Sequence, residues 1–285
     1  SLQDNRAQIE MSKRLVQLEC DMALDFTIDD LEVQDPDPQA LLDFVVKMEF
    51  RTLSKRLAEK LKVEAPVIAE PTIAVAFSDA PQASAIDPSK YETIRDGAGL
   101  QVWIDRIYAR GYVAVDTETT GLNEMRADLV GVSLCVEAGE AAYLPLSHRA
   151  GQADDLFGTD VLAEGQMDQA AALAMLKPML EDSSILKIGQ NMKYDAKILA
   201  RVGIQIAPID DTMLMSYAQN GGLHNHGMDF LSERYLDHAP ISIKTLLGSG
   251  KSAITFDRVP IDEASRYAAE AADITLRLWP YLKPG

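Results

Sequence analysis

The sequence has few of the features that stabilise secreted or membrane-embedded proteins. Its 285 residues include two cysteines, Cys20 and Cys135, which lie far apart along the chain. A single pair at this spacing is no disulfide framework, so we interpret both as reduced thiols in the protein core. No run approaches the roughly 18 apolar residues that a membrane-spanning helix needs. These absences predict a cytoplasmic globular protein without a membrane partner.

Positive charge is also scarce. Lys and Arg number 27 against 44 Asp and Glu, which gives a formal net charge of −17. This balance argues against a general nucleic-acid binder, because such proteins neutralise phosphates with basic side chains. It does not exclude an enzyme that contacts phosphate through bound metal ions, since these sites are built from carboxylates. The hydrophobic content of 47% is that of an ordinary globular protein with a buried core.

Composition divides the chain into three parts. Residues 1–62 carry apolar side chains at helical spacing, and we expect a helical segment there, with Pro38 in the first turn of a helix that runs to Lys62. Residues 63–90 contain four prolines and many small residues, as in a linker. Residues 91–285 alternate between strand and helix patterns and predict a mixed α/β domain.

Two carboxylates follow a buried strand in the segment YVAVDTETTGL. The apolar run from Tyr112 to Val115 leads into Asp116 and Glu118. Residues two apart in a strand point to the same face, so both acids project together. Such a pair repels unless a cation binds it, and hard oxygen ligands suit Mg²⁺ or Mn²⁺.

Two further segments complete the candidate site. In GQNMKYDAKIL, Asn191 is the expected N-cap of a helix and Asp195 lies one turn inside it. In RYAAEAADIT, Tyr267 and Ala271 are four residues apart and share one helix face. Taken singly, each segment has an ordinary structural explanation. Asp116 and Glu118 could be a solvated strand end, Asp195 a surface acid of an amphipathic helix, and Tyr267 a packed side chain.

Together, these segments resemble the three motifs of the DEDDy 3′–5′ exonucleases, and in particular the proofreading domain of bacterial DNA polymerases I. The segments that carry the resemblance are VDTETTGL, KIGQNMKYDAKIL, DTMLMSY, MDFLSERYL and ITFDRVPIDEASRYAAE. The resemblance covers residues 91–285, and residues 1–62 resemble the end of the preceding 5′-nuclease region. It implies an α/β fold: a ribonuclease H-like, mixed five-stranded sheet with flanking helices, preceded by a small helical segment.

The resemblance also implies a reaction and its residues. The family removes the last nucleotide of a DNA 3′ end with two bound metal ions, Mg²⁺ or Mn²⁺. The implied metal ligands are Asp116, Glu118 and Asp195, and Tyr267 would orient the attacking water as a further catalytic residue. The implied substrate contacts are Thr117 and Leu122 at the terminal nucleotide and Gln190, Asn191 and Tyr194 along the strand.

The implied partners are a single-stranded DNA 3′ end and the polymerase domain of the same full-length chain. This sequence would then be an internal fragment of a bacterial, nucleoid-associated polymerase, and we expect it to be a monomer.

Ala271 departs from the family pattern. The family has a fourth carboxylate four residues after the tyrosine, where this sequence has alanine. Asp273 lies about 200° further round a helix and faces elsewhere, and Glu270 lies about 100° away. We therefore predict that exonuclease activity is strongly reduced or lost.

Four other readings compete with this one. The nuclease could be active, with Glu270 or a water replacing the missing ligand. The chain could be an exoribonuclease of the RNase D kind. It could be a non-catalytic scaffold that binds DNA ends without cutting. Finally, it could be a plain α/β domain whose acids are surface charges.

Overall fold

The computed structural model describes residues 3–33, 35–48, 50–63, 85–150, 161–250 and 253–283. The chain forms two compact units, Ser1–Thr72 and Ile73–Gly285. Most of the predicted linker, residues 64–84, lies outside the described part. Within that part no helix is both long and apolar enough to cross a membrane.

The first unit is helical, as predicted. It contains α1 (Arg6–Leu15), α2 (Pro38–Lys47) and α3 (Arg51–Leu61). Pro38 opens α2, and the Asp37 carboxylate caps it by accepting from the Ala40 N–H. The single helix expected from Pro38 to Lys62 is wrong, because the chain breaks between α2 and α3. Both helices face one small core, so the apolar periodicity continues across the break.

The second unit is a sheet between two helical layers. Its strands and helices, in chain order, are β1 (Glu92–Thr93), α4 (Gly97–Arg110), β2 (Tyr112–Thr119), β3 (Leu129–Glu137), β4 (Glu140–Pro145), α5 (Gln169–Glu181), β5 (Leu186–Gly189), α6 (Lys193–Arg201), β6 (Ile209–Asp211), α7 (Thr212–Asn220), α8 (Met228–Leu236), α9 (Ile243–Leu247) and α10 (Ile261–Leu282).

The sheet is mixed, as expected, but within the described residues it has six strands and not five. The strand order is β1-β4-β3-β2-β5-β6. The strands β3 and β4 form an antiparallel hairpin, whereas β2, β5 and β6 run parallel. The missed strand is β6, which is three residues long and therefore too short to show a periodicity.

The two faces of the sheet bury different side chains. Val113 and Val115 of β2 belong to the large core formed with α4, α5 and α6. Ala114, between them, packs with Ala269 and Ala272 of α10 on the opposite face. This alternation decides which way the side chains at the end of β2 point.

The two cysteines differ in environment. Cys135 of β3 is a buried free thiol, as expected. Cys20 is exposed, so the prediction of a core thiol there is wrong. Its flanking apolar residues had suggested a core helix, but α1 ends at Leu15 and buries none of its side chains.

Candidate functional site

The strand β2 carries two acids on the face that it turns towards α10. Following the alternation set by Ala114, Asp116 and Glu118 share this face. Glu118 is opposite Gly131 of β3, and the pairing shifts register directly after it. Burial raises the pKa of Asp116 to about 6. Burial and the charges of Asp116 and Asp195 raise the pKa of Glu118 well above its ordinary value.

A third acid reaches the same place from α6. Asp195 is in the first turn of that helix and is 2% exposed. Its Oδ1 accepts from the Thr117 N–H at 3.0 Å and from the Thr117 hydroxyl at 2.5 Å. Burial and the charge of Asp116 raise the pKa of Asp195 well above its ordinary value. Burial therefore disfavours the ionised form of all three acids, and neighbouring carboxylates add to this effect for Glu118 and Asp195.

These acids line one cavity of about 580 Å³ together with Tyr267 of α10. Tyr267 is half-buried and packs against Phe256, with ring centroids 5.9 Å apart. Burial and the charges of Glu118 and Asp116 raise the pKa of its hydroxyl, which therefore stays protonated. The structure thus brings together all four residues that were predicted to be catalytic.

Asp116, Glu118 and Asp195 are the candidate ligands for the predicted Mg²⁺ or Mn²⁺ ions. Among the described residues no group of three or more His, Cys, Asp or Glu side chains converges closely enough to hold a metal ion. The chemistry nonetheless fits, because clustered carboxylate oxygens are the ligands that Mg²⁺ and Mn²⁺ prefer. A divalent cation would also stabilise the ionised carboxylates that burial disfavours.

All five predicted substrate-binding residues line this cavity, but they differ in how free they are. Leu122 is 96% exposed and can contact a ligand directly. The hydroxyl of Tyr194 donates to the Gly121 carbonyl at 2.5 Å. The amide of Gln190 donates to the His226 carbonyl at 2.8 Å.

Asn191 and Thr117 both make hydrogen bonds within the protein. Asn191 is not the N-cap of α6, which begins after Met192; its φ of 62° is left-handed. The turn is held by Asp211, whose carboxylate accepts from the N–H groups of Asn191 and Met192 and also caps α7. Thr117 was expected to contact the terminal nucleotide, and its hydroxyl donates to Asp195.

Sequence reasoning missed the apolar wall of the cavity. Its members come from α9 and the segment leading to α10, and they are Ile243, Leu247, Ile254 and Phe256. Isolated apolar residues in such a segment carry no signal that distinguishes a binding wall from an ordinary core.

Ala271 lies one helical turn after Tyr267 on α10 and is 7% exposed. It opens on a small cavity of about 50 Å³ that Tyr267, Glu270 and Asp229 also line. A methyl group therefore stands where a carboxylate would be next to Tyr267.

Neither neighbouring acid on α10 is available as a replacement. The Glu270 carboxylate is buried and accepts from the Ile241 N–H at 2.7 Å, while its other oxygen lies 2.9 Å from His238 Nε2. Asp273 faces the other way and binds Arg277 at 2.8 Å. Turning either carboxylate towards Tyr267 would break these buried bonds.

This chain is similar to known proteins over most of its length. A family model described as 3′–5′ exonuclease matches residues 91–285. DNA polymerase I of Rhizobium leguminosarum is 40% identical over 96% of this chain and 33% of its own length. DNA polymerase I of Pseudomonas aeruginosa is 36% identical over 97% of this chain and 28% of its own length.

Solved structures support the fold. RNase D of Trypanosoma brucei superimposes with a TM-score of 0.51 at 14% identity, covering 67% of this chain and 64% of that one. At this identity the likeness concerns the fold alone.

The chain spans about a third of the length of its polymerase relatives. It belongs to the DNA polymerase I family and contains that family's 3′–5′ exonuclease domain.

Proposed function

We propose that the cavity at the end of β2 is the exonuclease active site, that it takes the 3′ end of single-stranded DNA, and that its turnover is strongly reduced. The observation that carries the proposal is that Asp116, Glu118, Asp195 and Tyr267 line one cavity. The reduced turnover is inferred from Ala271.

Asp116, Glu118 and Asp195 are the residues that would hold Mg²⁺ or Mn²⁺. Bound divalent ions supply a hydroxide near neutral pH and stabilise the leaving 3′ oxygen. The protein's own contribution is positional. The protonated hydroxyl of Tyr267 can hydrogen-bond the attacking water, and Glu118 can accept that water's proton in the same cavity.

Substrate contacts follow from exposure. Leu122 offers an apolar side chain for the terminal base, and the apolar wall of the same cavity offers further apolar contacts. Gln190, Asn191 and Tyr194 border the same cavity, where the nucleotides before the 3′ end would lie. Thr117 borders the same cavity, where its hydroxyl and its main-chain N–H both donate to Asp195.

The missing carboxylate weakens the site in a definite way. Ala271 lines the small cavity that adjoins Tyr267, and Tyr267 also lines the cavity of the three acids, so alanine at this position removes a charged ligand from the neighbourhood of Tyr267. Loss of an outer partner of a metal ligand already costs about 10–100-fold in affinity or activity, so loss of a direct ligand costs more. Because Glu270 and Asp273 are held by buried bonds, we propose that neither restores activity.

We further propose that the domain acts within a longer, monomeric polymerase in the bacterial cytoplasm, at the nucleoid, and receives DNA ends from the polymerase domain of the same chain. In this proposal residues 1–62 end the 5′-nuclease region, residues 63–90 are the linker and residues 91–285 are the exonuclease domain. The support is the match of nearly the whole chain to DNA polymerases I.

The test uses matched single-stranded DNA and RNA with labelled 3′ ends and the Ala271→Asp variant with Mg²⁺. We expect release of deoxynucleoside 5′-monophosphates from DNA, and loss of that release when Asp116→Asn is added. Faster cutting of RNA would instead support the RNase D-like alternative. If the parent protein and Ala271→Asp both bind DNA ends but neither cuts them, the result would support a non-catalytic end-binding domain.

A further inference from the structure

One hydroxyl group links the two elements that carry the acids. Thr117 stands between Asp116 and Glu118 on β2, so its side chain points to the opposite face, towards α6. There it meets Asp195, and both side chains are almost fully buried, at 6% and 2% exposure. The contact joins residues 78 positions apart in sequence.

The geometry of this contact orients one carboxylate oxygen. The Thr117 N–H and hydroxyl both donate to Asp195 Oδ1, at 3.0 and 2.5 Å. Two donors from one residue hold the carboxylate plane as well as its position. Oδ2 is thereby left as the oxygen that the carboxylate can offer to the cavity, which Asp195 lines with Asp116 and Glu118.

We propose that Thr117 is a positioning residue, whose hydroxyl holds the Asp195 carboxylate in the orientation in which it serves the divalent cations of the exonuclease cavity. This inference rests on the proposed function and changes the role of Thr117. Its side chain acts on Asp195, because the hydroxyl proton that a nucleotide would need is already donated. The threonine of the D-T-E segment then orients a metal ligand and does not itself bind the nucleotide through its hydroxyl.

The test compares Mn²⁺ binding, followed by electron paramagnetic resonance, in the protein and its Thr117→Val and Thr117→Ser variants. Valine keeps the size and β-branching of threonine and the main-chain N–H, but it removes the hydroxyl. We expect Thr117→Val to bind Mn²⁺ about 10–100-fold more weakly, as for other outer partners of metal ligands. Thr117→Ser keeps the hydroxyl and should bind as the unmodified protein does.

Thr275→Val is the matched control. Thr275 is also almost fully buried, and its hydroxyl has no hydrogen-bond partner within the described residues. The same chemical change there should leave Mn²⁺ affinity unaltered. Each variant is measured again in the Ala271→Asp background, where the added acid strengthens binding.

The outcomes separate this inference from the proposed function. If the Ala271→Asp protein binds Mn²⁺ no better than its Asp116→Asn derivative, the proposed cation site is wrong. If it binds, and Thr117→Val binds equally well, the positioning role is wrong. If Thr117→Val weakens binding of single-stranded DNA in EDTA but not of Mn²⁺, the hydroxyl acts on the nucleotide. Should Thr117→Val fail to fold by circular dichroism, Thr117→Ala replaces it with the same criteria.

Discussion

Replacing Asp273 by alanine should destabilise the exonuclease domain without harming its active site. Asp273 is completely buried, and it accepts from Arg277 Nε at 2.8 Å, from the Gly139 N–H at 2.9 Å and from the Tyr91 hydroxyl at 2.7 Å. The variant leaves the Arg277 guanidinium buried without this partner. Breaking a buried ion pair by removing one partner costs about 3–5 kcal/mol, a large share of the roughly 5–15 kcal/mol by which a domain is stable.

Urea unfolding followed by tryptophan fluorescence measures this loss, because Trp103 and Trp279 both lie in the second unit. Asp262→Ala is the control on the same helix: its ion pair with Arg95 is exposed, so the variant should lose at most about 1 kcal/mol. Mn²⁺ affinity of folded Asp273→Ala should equal that of the parent. A loss of stability no larger than the control's, or a loss of Mn²⁺ binding in the folded variant, would refute the structural role of Asp273.

Three further predictions concern the frame around the site. Lys187 is buried and donates to three main-chain carbonyl oxygens. Lys187→Met should therefore lower the free energy of unfolding by about 1–3 kcal/mol for each acceptor left unpaired. An unchanged midpoint of urea unfolding would contradict this prediction. A Cβ on Gly131 would collide with the Tyr143 ring, so Gly131→Ala should lower the free energy of unfolding by about 1–3 kcal/mol. Gly121→Ala is the control, because a Cβ there meets only open space. Equal melting temperatures of the two variants would refute the packing argument. Burial lowers the pKa of His148, so the folded state keeps its imidazole neutral, whereas the unfolded chain takes up a proton below about pH 6.5. The free energy of unfolding should therefore fall as pH drops through that value, and it should fall less in His148→Gln. Parallel pH profiles of the two proteins would contradict this prediction.

Much of the site was predictable because its chemistry follows from short local patterns. Alternation along β2 is enough to put Asp116 and Glu118 on one face, and the 3.6-residue repeat is enough to relate Tyr267 to Ala271. Both arguments need only the type of the element, which the apolar patterns of β2 and α10 indicate clearly.

Contacts between distant segments could not be predicted in the same way. Asp211 caps α7, as its sequence position suggests, but it also holds the turn at Asn191, 20 residues earlier. The helix N-cap expected at Asn191 was wrong, because α6 begins after Met192 and the carboxylate of Asp211 holds the turn before it. The bond between Thr117 and Asp195 is of the same kind, since neither local sequence contains a sign of the other.

The burial of Lys187 could not be predicted from its residue type. A lysine inside a strand normally indicates a solvated side, yet this one is fully buried. Its ammonium group is satisfied by main-chain carbonyls at Asp182, Ile185 and Ala207, whose positions depend on the folded loops. Only the three-dimensional structure reveals that these acceptors converge.

The most direct test of the account is the single-turnover rate at which a deoxynucleoside 5′-monophosphate leaves the 3′ end of single-stranded DNA with Mg²⁺. The rate is compared between the protein and its Ala271→Asp variant, with Asp116→Asn in the variant as the blank. We predict that Ala271→Asp is faster by more than the roughly 10–100-fold attached to outer partners of metal ligands. Equal rates well above the blank would contradict the account, because they would mean that the site works without the carboxylate at position 271.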